Sequence, residues 1–96
     1  MAKREVVVTT DSTRRGVFCG ELVSGDIVSG NVTLINAQMC VYWSQETKGV
    51  LGLASQGPQS GSRVTPVIPR IELNGVTSIM DMQDKAVETW RNCPWR

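Results

Sequence analysis

Ninety-six residues give room for one domain and not for two, so the chain reads as a single unit over 1–96. A hydrophobic fraction of 41% against 20% charged residues lies in the globular range and excludes a disordered tail. Ten Lys and Arg against nine Asp and Glu leave a formal charge of +1, which excludes a global field drawing the chain to nucleic acid or an anionic membrane, so any anion site has to be local.

Taken in chain order, Met1 to Glu5 is followed by only Val6, Val7 and Val8 before polar Thr9 and Thr10, too short a run for a signal peptide or a membrane span, and a cytoplasmic protein is expected. Glu5 to Thr10 is rich in β-branched residues and reads as a first strand, closed by the turn Asp11-Ser12-Thr13. Arg14 and Arg15 open a second. Between Gly16 and Val23, Val17, Cys19 and Val23 form one row and Phe18 and Leu22 the other, and Gly16 and Gly20 suggest a strand that bends or lets another backbone approach. Ser24-Gly25-Asp26 and Ser29-Gly30-Asn31 are turn clusters, so a strand is expected from Asn31 to Ile35. A further strand follows, in which Met39, Val41 and Trp43 alternate with Cys40 and Tyr42. Apolarity on both of its rows suggests covering on both faces, by a core and by a helix or a second subunit.

From Thr47 to Gln56, Val50, Leu51, Leu53 and Ala54 fall at helical spacing, with Thr47 as N-cap and Gly57-Pro58 as the stop. Gly57 to Ser62 is a loop, and Arg63 follows at once. Strands resume at Val64-Thr65 and at Ile68 to Leu73, where Pro66 and Pro69 favour an edge or a bend. Asn74-Gly75 is a hairpin dipeptide and predicts Val76 to Met80 antiparallel to Ile71–Leu73. Asp81 then caps a helix from Gln83 to Asn92 with Ala86, Val87 and Trp90 on its apolar face. The expected fold is mainly β, of the α+β kind: a small rolled antiparallel barrel or sheet with a short inserted helix and a C-terminal helix.

Three widely spaced cysteines, Cys19, Cys40 and Cys93, without any histidine, argue against a disulfide framework or a zinc site, and no cofactor is expected. No Ser or Cys has an identifiable base, and Asp81, Asp84 and Glu88 serve a helix dipole, so the chain is not expected to be an enzyme. The most informative feature is the loop Gly57-Pro58-Gln59-Ser60-Gly61-Ser62. Its small residues let backbone amides converge on an anion beside the bidentate guanidinium of Arg63; the competing reading is a solvated surface loop. Arg14 and Arg15 form a second candidate, or else a charged turn beside an edge strand. Tyr42 is the expected stacking platform if Trp43 turns inward. Trp90 is expected to anchor the last helix, and Trp95 either anchors a subunit interface or sits half-exposed.

The spacing Gly20-x-Leu22-x-x-x-Asp26 followed by Asn31-Val32-Thr33-Leu34-x-x-Ala37 resembles the first motif of Sm-like small β-barrels, with one extra residue between its halves. Ile71 to Ile79 is similar to their second motif, with Asn74 where that family has an arginine, so the RNA-contacting role of that arginine does not carry over. The pattern over nearly the whole chain, including Gly49 to Pro58, also resembles small uncharacterised proteins of phages and bacterial genomes. That resemblance implies a host cytoplasm, where short oligomeric proteins antagonise host defences, some by sequestering nucleotide signals.

The leading expectation is therefore a homo-oligomer that sequesters a nucleotide-like anion at Gly57, Ser60, Gly61, Ser62, Arg63 and Tyr42, with Arg14 or Arg15 from a neighbour and Trp95 at the interface. A nucleic-acid-binding Sm-like ring and a structural or protein-binding module are the alternatives.

Overall fold

The computed structural model describes residues 4–11 and 16–93. Among the described residues six strands form one antiparallel sheet: β1 (Glu5–Thr10), β2 (Val17–Asp26), β3 (Asn31–Tyr42), β4 (Arg63–Val64), β5 (Ile68–Leu73) and β6 (Val76–Asp81). Two helices, α1 (Gly49–Ser55) and α2 (Asp84–Asn92), complete it, with a 3-10 turn at Gln45–Thr47 before α1. The neighbour order is β6, β1, β2, β3, and the far side of β3 is shared, its first half by β5 and its end by β4.

Strand alternation gives the sheet two apolar faces. On one, Val6, Val8, Val32, Leu34, Ala37 and Val76 are buried together, with Phe18, Leu22, Ile71, Leu73 and Ile79 packed around them; this is the inside of the roll. On the other, Val7, Cys19, Cys40 and Val64 are covered by Leu53 and Ala54 of α1 and by Trp90 of α2. The three-valine run of β1 feeds both cores because successive side chains point to opposite faces. Gly20 permits the curvature: a Cβ there would lie 3.0 Å from the carbonyl oxygen of Ile35.

The predicted rows of β2 match these faces at Val17 and Cys19 on the helix side and at Phe18 and Leu22 inside, but Val23, expected in the first row, is exposed beyond the register shift between Leu22 and Ser24. Four further local expectations are corrected. The two strands expected at Asn31–Ile35 and Met39–Trp43 are one, because Asn36 takes a left-handed conformation (φ 51°) and absorbs a bulge without ending the ladder. Asn74-Gly75 does not make a hairpin: β6 pairs with β1 and β5 with β3. The Gly75 carbonyl accepts from the Asp11 amide at 2.8 Å and the Val76 amide donates to the Gly30 carbonyl at 3.0 Å, so other loops hold the turn's backbone groups and the chain crosses between sheet edges. Thr47 does not cap α1; Lys48 takes the N-cap position with φ 70°, and the Thr47 hydroxyl is buried in the neighbouring loop. Asp81 does not cap α2 either, since it closes β6 and its carboxylate pairs with Arg4 at 2.7 Å; Gln83 stands at the cap.

Pro66 lies in the link between β4 and β5 and Pro69 within the edge strand β5, as their missing N–H groups require. Among the described residues no helix is long and apolar enough to cross a membrane.

Trp90 is fully buried and its indole Nε1–H donates to the Leu53 carbonyl at 3.0 Å. Trp90→Ala is expected to destabilise the fold by about 3–5 kcal/mol, the range for large aromatic truncations, measured by urea unfolding; a loss under about 1 kcal/mol would contradict this packing. At the β2–β3 turn, the Asp26 carboxylate accepts from the Ser29 amide at 2.8 Å, and that bond holds its carboxyl below the ordinary value of 3.8. Because the folded value is lowered, the contribution is complete above 3.8 and is lost as pH falls through the folded value. Asp26→Ala should therefore lower the melting temperature at neutral pH, with the gap to wild type closing on acidification; a gap independent of pH would discount the carboxylate.

Candidate functional site

Beyond the C-terminal end of α2 the helix-covered face opens into a cleft of about 820 Å³. Tyr42 at the end of β3, residues 58–63 of the loop, and Thr89, Asn92 and Cys93 of the α2 end line it. The loop begins at Gly57, whose φ of 85° and tight approach to α2 both require glycine: a Cβ would lie 2.6 Å from the Thr89 Cβ and 3.0 Å from the Ala86 carbonyl. Its amide donates to the Gly52 carbonyl at 3.0 Å, closing the last turn of α1.

A knot of hydroxyls fixes the rest of the loop. The Gln59 amide donates to Thr47 Oγ1 at 2.9 Å, the Ser44 amide to Ser62 Oγ at 2.9 Å, and the Thr47 and Ser62 hydroxyls lie 3.3 Å apart. The Ser62 amide donates to the Gln59 carbonyl at 3.0 Å, forming a turn with Ser60 and Gly61 at its apex. Thr47, Ser44 and Ser62 are all buried. The hydroxyl of Ser62 and the amides of residues 57, 59 and 62 are thus committed to the fold. Ser60 and Gly61 are exposed, and their amides have no hydrogen-bond partner among the described residues.

Arg63 opens β4 and stands directly opposite Tyr42 in the antiparallel register. Both are exposed, Tyr42 by 59%, while Trp43 turns into the core beside Trp90. Tyr42, Ser60, Gly61, Ser62 and Arg63 therefore share one cleft. Gly57 belongs to its foundation. Arg14, Arg15 and Trp95 lie outside the described residues.

Sequence reasoning missed Thr89, Asn92 and Cys93. Their spacings of three and four put them on one side of α2, a polar stripe next to Trp90 that would have marked the helix face at the cleft. Sequence also gave no hint of the buried hydroxyls, because Ser and Thr in a loop read as solvated. Among the described lining residues Arg63 carries the charge and none is a carboxylate. A second cleft, about 770 Å³, opens between the β2–β3 hairpin and the corner at Asn74; its charged residue is Glu72, held by Arg70 at 2.8 Å.

Burial suppresses the thiolates of Cys19 and Cys40. Burial pushes Cys19 up to about 12 and Cys40 up to about 11, and raises half-buried Cys93 as well. Below their ordinary value of 9.0 this cuts the thiolate of Cys19 about a thousandfold and that of Cys40 about a hundredfold. Iodoacetamide should therefore modify the native protein once, at the cleft-lining Cys93, and all three cysteines only after unfolding, read by intact mass; native labelling of Cys19 or Cys40 ahead of Cys93 would contradict the packing.

No curated protein and no solved structure matches the chain. One family matches over residues 3–90, a domain of unknown function (DUF6948), and with that coverage the chain belongs to this family.

Proposed function

We propose that this chain is a binding module whose Tyr42–Arg63 cleft takes a small nucleotide-like anion and holds it without reaction. One observation carries the reading: an exposed aromatic ring and a guanidinium are cross-strand neighbours lining a cleft to which the loop before Arg63 adds two amides without a partner among the described residues. Each part suits one portion of such a ligand. The ring of Tyr42 offers a stacking face for a base, a contact that contributes roughly 1–3 kcal/mol. Arg63 offers a planar, bidentate donor for phosphate oxygens, and the turn at Ser60-Gly61 adds amide donors. A volume near 820 Å³ lies within the range of small-molecule sites, roughly 300–1,000 Å³.

The lining supports holding over chemistry. It combines a guanidinium, amides, a phenol and a thiol raised by burial, and among the described lining residues there is no histidine or carboxylate to serve as a base. Because the buried hydroxyls fix the loop before any ligand arrives, binding loses little further loop entropy, which favours retention.

Calorimetric titration with nucleoside monophosphates and with inorganic phosphate tests the reading. Tyr42→Ala is expected to weaken nucleotide binding about 5- to 150-fold, the equivalent of the stacking energy, and to leave phosphate binding unchanged. Arg63→Ala should weaken both ligands, and Arg63→Lys should restore only part, since an ammonium lacks the fork. Both side chains are exposed, so melting temperatures should stay close to wild type. Absence of binding to every nucleotide tried would sink the proposal, and a steep loss of affinity with salt for an oligonucleotide, absent for the monomer, would move it to nucleic acid.

A further inference from the structure

The chain has four asparagines, Asn31, Asn36, Asn74 and Asn92, and of these Asn74 alone precedes a glycine. An asparagine side-chain amide is open to attack by the backbone nitrogen of the next residue, which closes a five-membered ring. A side chain on that next residue crowds the nitrogen and restricts the backbone rotation the ring needs, whereas glycine does neither. After the other three asparagines come Val32, Ala37 and Cys93.

Local structure separates the four in the same way. Val32 and Ala37 lie within β3, where Val32 pairs with Gly25 and Leu73, and Ala37 with Ile68. The Cys93 amide donates to the Trp90 carbonyl at 3.3 Å. Asn74 stands between β5 and β6, outside both strands, and is exposed. The bonds that fix this crossover begin at the Gly75 carbonyl, which accepts from the Asp11 amide, and at the Val76 amide, which donates to the Gly30 carbonyl. The Gly75 nitrogen, by contrast, has no hydrogen-bond partner among the described residues. Asn74 makes an interaction of its own, which affects the frequency of attack but leaves the nucleophile in place.

Glycine is not optional at position 75. Its φ is 70°, and a Cβ there would lie 2.6 Å from a carboxylate oxygen of Asp11. The fold therefore requires the residue that makes Asn74 reactive.

We propose that Asn74 is a site of spontaneous covalent modification. The Gly75 nitrogen bonds to Asn74 Cγ, the side-chain nitrogen departs with the Gly75 proton as ammonia, and a succinimide is left. Water then opens the ring, its hydroxyl going to one carbonyl carbon and its proton returning to the Gly75 nitrogen. Opening at the side-chain carbonyl gives an aspartate with an unchanged backbone. Opening at the main-chain carbonyl gives an isoaspartate, whose backbone runs through the former side chain and is longer by one methylene. That methylene falls directly before the two groups bonded to Asp11 and Gly30, so this product loosens the crossover between the sheet edges and the first does not. Asn74 lines the second cleft and not the Tyr42–Arg63 cleft, so the site is separate from the proposed binding function.

Folded protein held warm at neutral pH and sampled over time tests this by tryptic mapping, with an isoaspartyl methyltransferase assay to separate the two products. Cleavage after Arg70 and Lys85 gives a peptide in which Asn74 is the single asparagine. That peptide should exchange an NH2 group for OH in both isomeric forms, while Asn31, Asn36 and Asn92 stay intact over the same interval. Asn74→Gln, whose attack would need a six-membered ring, should abolish the change; Asn74→Ser, which has no amide, serves if that variant does not fold. The separated isoaspartyl form should melt below wild type, and Asn74→Asp close to it. Retention of Asn74 in the folded protein while the urea-unfolded chain loses it, or loss spread evenly over the four asparagines, would overturn the proposal. An isoaspartyl form that melts with wild type would overturn the loosening of the crossover.

Discussion

The arrangement depends on the docking of one indole. Trp90 lies fully buried where α1, α2 and the outer face of the sheet meet; its Nε1–H donates to the Leu53 carbonyl of α1, and its own carbonyl accepts from Gln38 Nε2 of β3 at 3.1 Å. Gln38 is buried too, and the same amide group donates to the Thr65 carbonyl at 3.1 Å. A single side chain and its partner amide thereby join two helices, the central strand and the link after β4. Neither helix would be stable alone, since seven and nine residues fall below the length at which isolated helices persist in water, about 12–15 residues. Their helicity comes from burial against the sheet.

The loop that follows α1 inherits this order. Gly57 lies against Thr89 and Ala86 of α2, so the position of α2 sets where the loop begins, and the Ser44–Thr47–Ser62 hydroxyls set where it ends. Each buried hydroxyl meets a partner, as burial demands. The consequence is a division within one short loop: Gln59 and Ser62 turn inward to build it, while Ser60 and Gly61 are left at the apex to face outward. Rigidity of the candidate site is thus a by-product of satisfying buried polar groups.

The fold class was legible because its signals are local and periodic. Three successive valines, the alternating rows of β2, the β-branched run before Leu73 and the spacing of Ala86 and Trp90 each report a face that must be covered. What failed were turns and caps whose backbone groups are claimed from far along the chain. Asn74-Gly75 has strong hairpin chemistry, yet Asp11 and Gly30, distant in sequence, take its carbonyl and the next amide. Asp81 looked like a cap until Arg4 drew its carboxylate away, and Thr47 looked like one until the loop at Gln59 used its hydroxyl. In the site, Tyr42 and Arg63 could be named from residue type and their neighbours, but their cross-strand pairing required the register of β3 with β4. The contribution of α2 was hidden because Trp90 dominates that helix and its polar neighbours read as solvent-facing.

Length mismatches explain why the surfaces of interest lie where they do. A sheet apolar on both faces must be covered twice; rolling covers the inside, and the helices are left to cover the outside. A nine-residue α2 is only about 13 Å long, less than half the extended reach of β3, so among the described residues the outer face is left open past its C-terminal end. That gap is the cleft, and its rim is where β3 pairs with the two-residue β4 and exposes Tyr42. At the other end of β3 the mismatch is between strands: β1 pairs with Glu21 and the Arg4 carbonyl accepts from the Leu22 amide, while β2 runs on to Asp26 in a hairpin that, among the described residues, no other strand flanks on the β2 side. Among the described residues β3 therefore has a recess at one end and a projection at the other, each where a neighbouring element is shorter than the strand it covers.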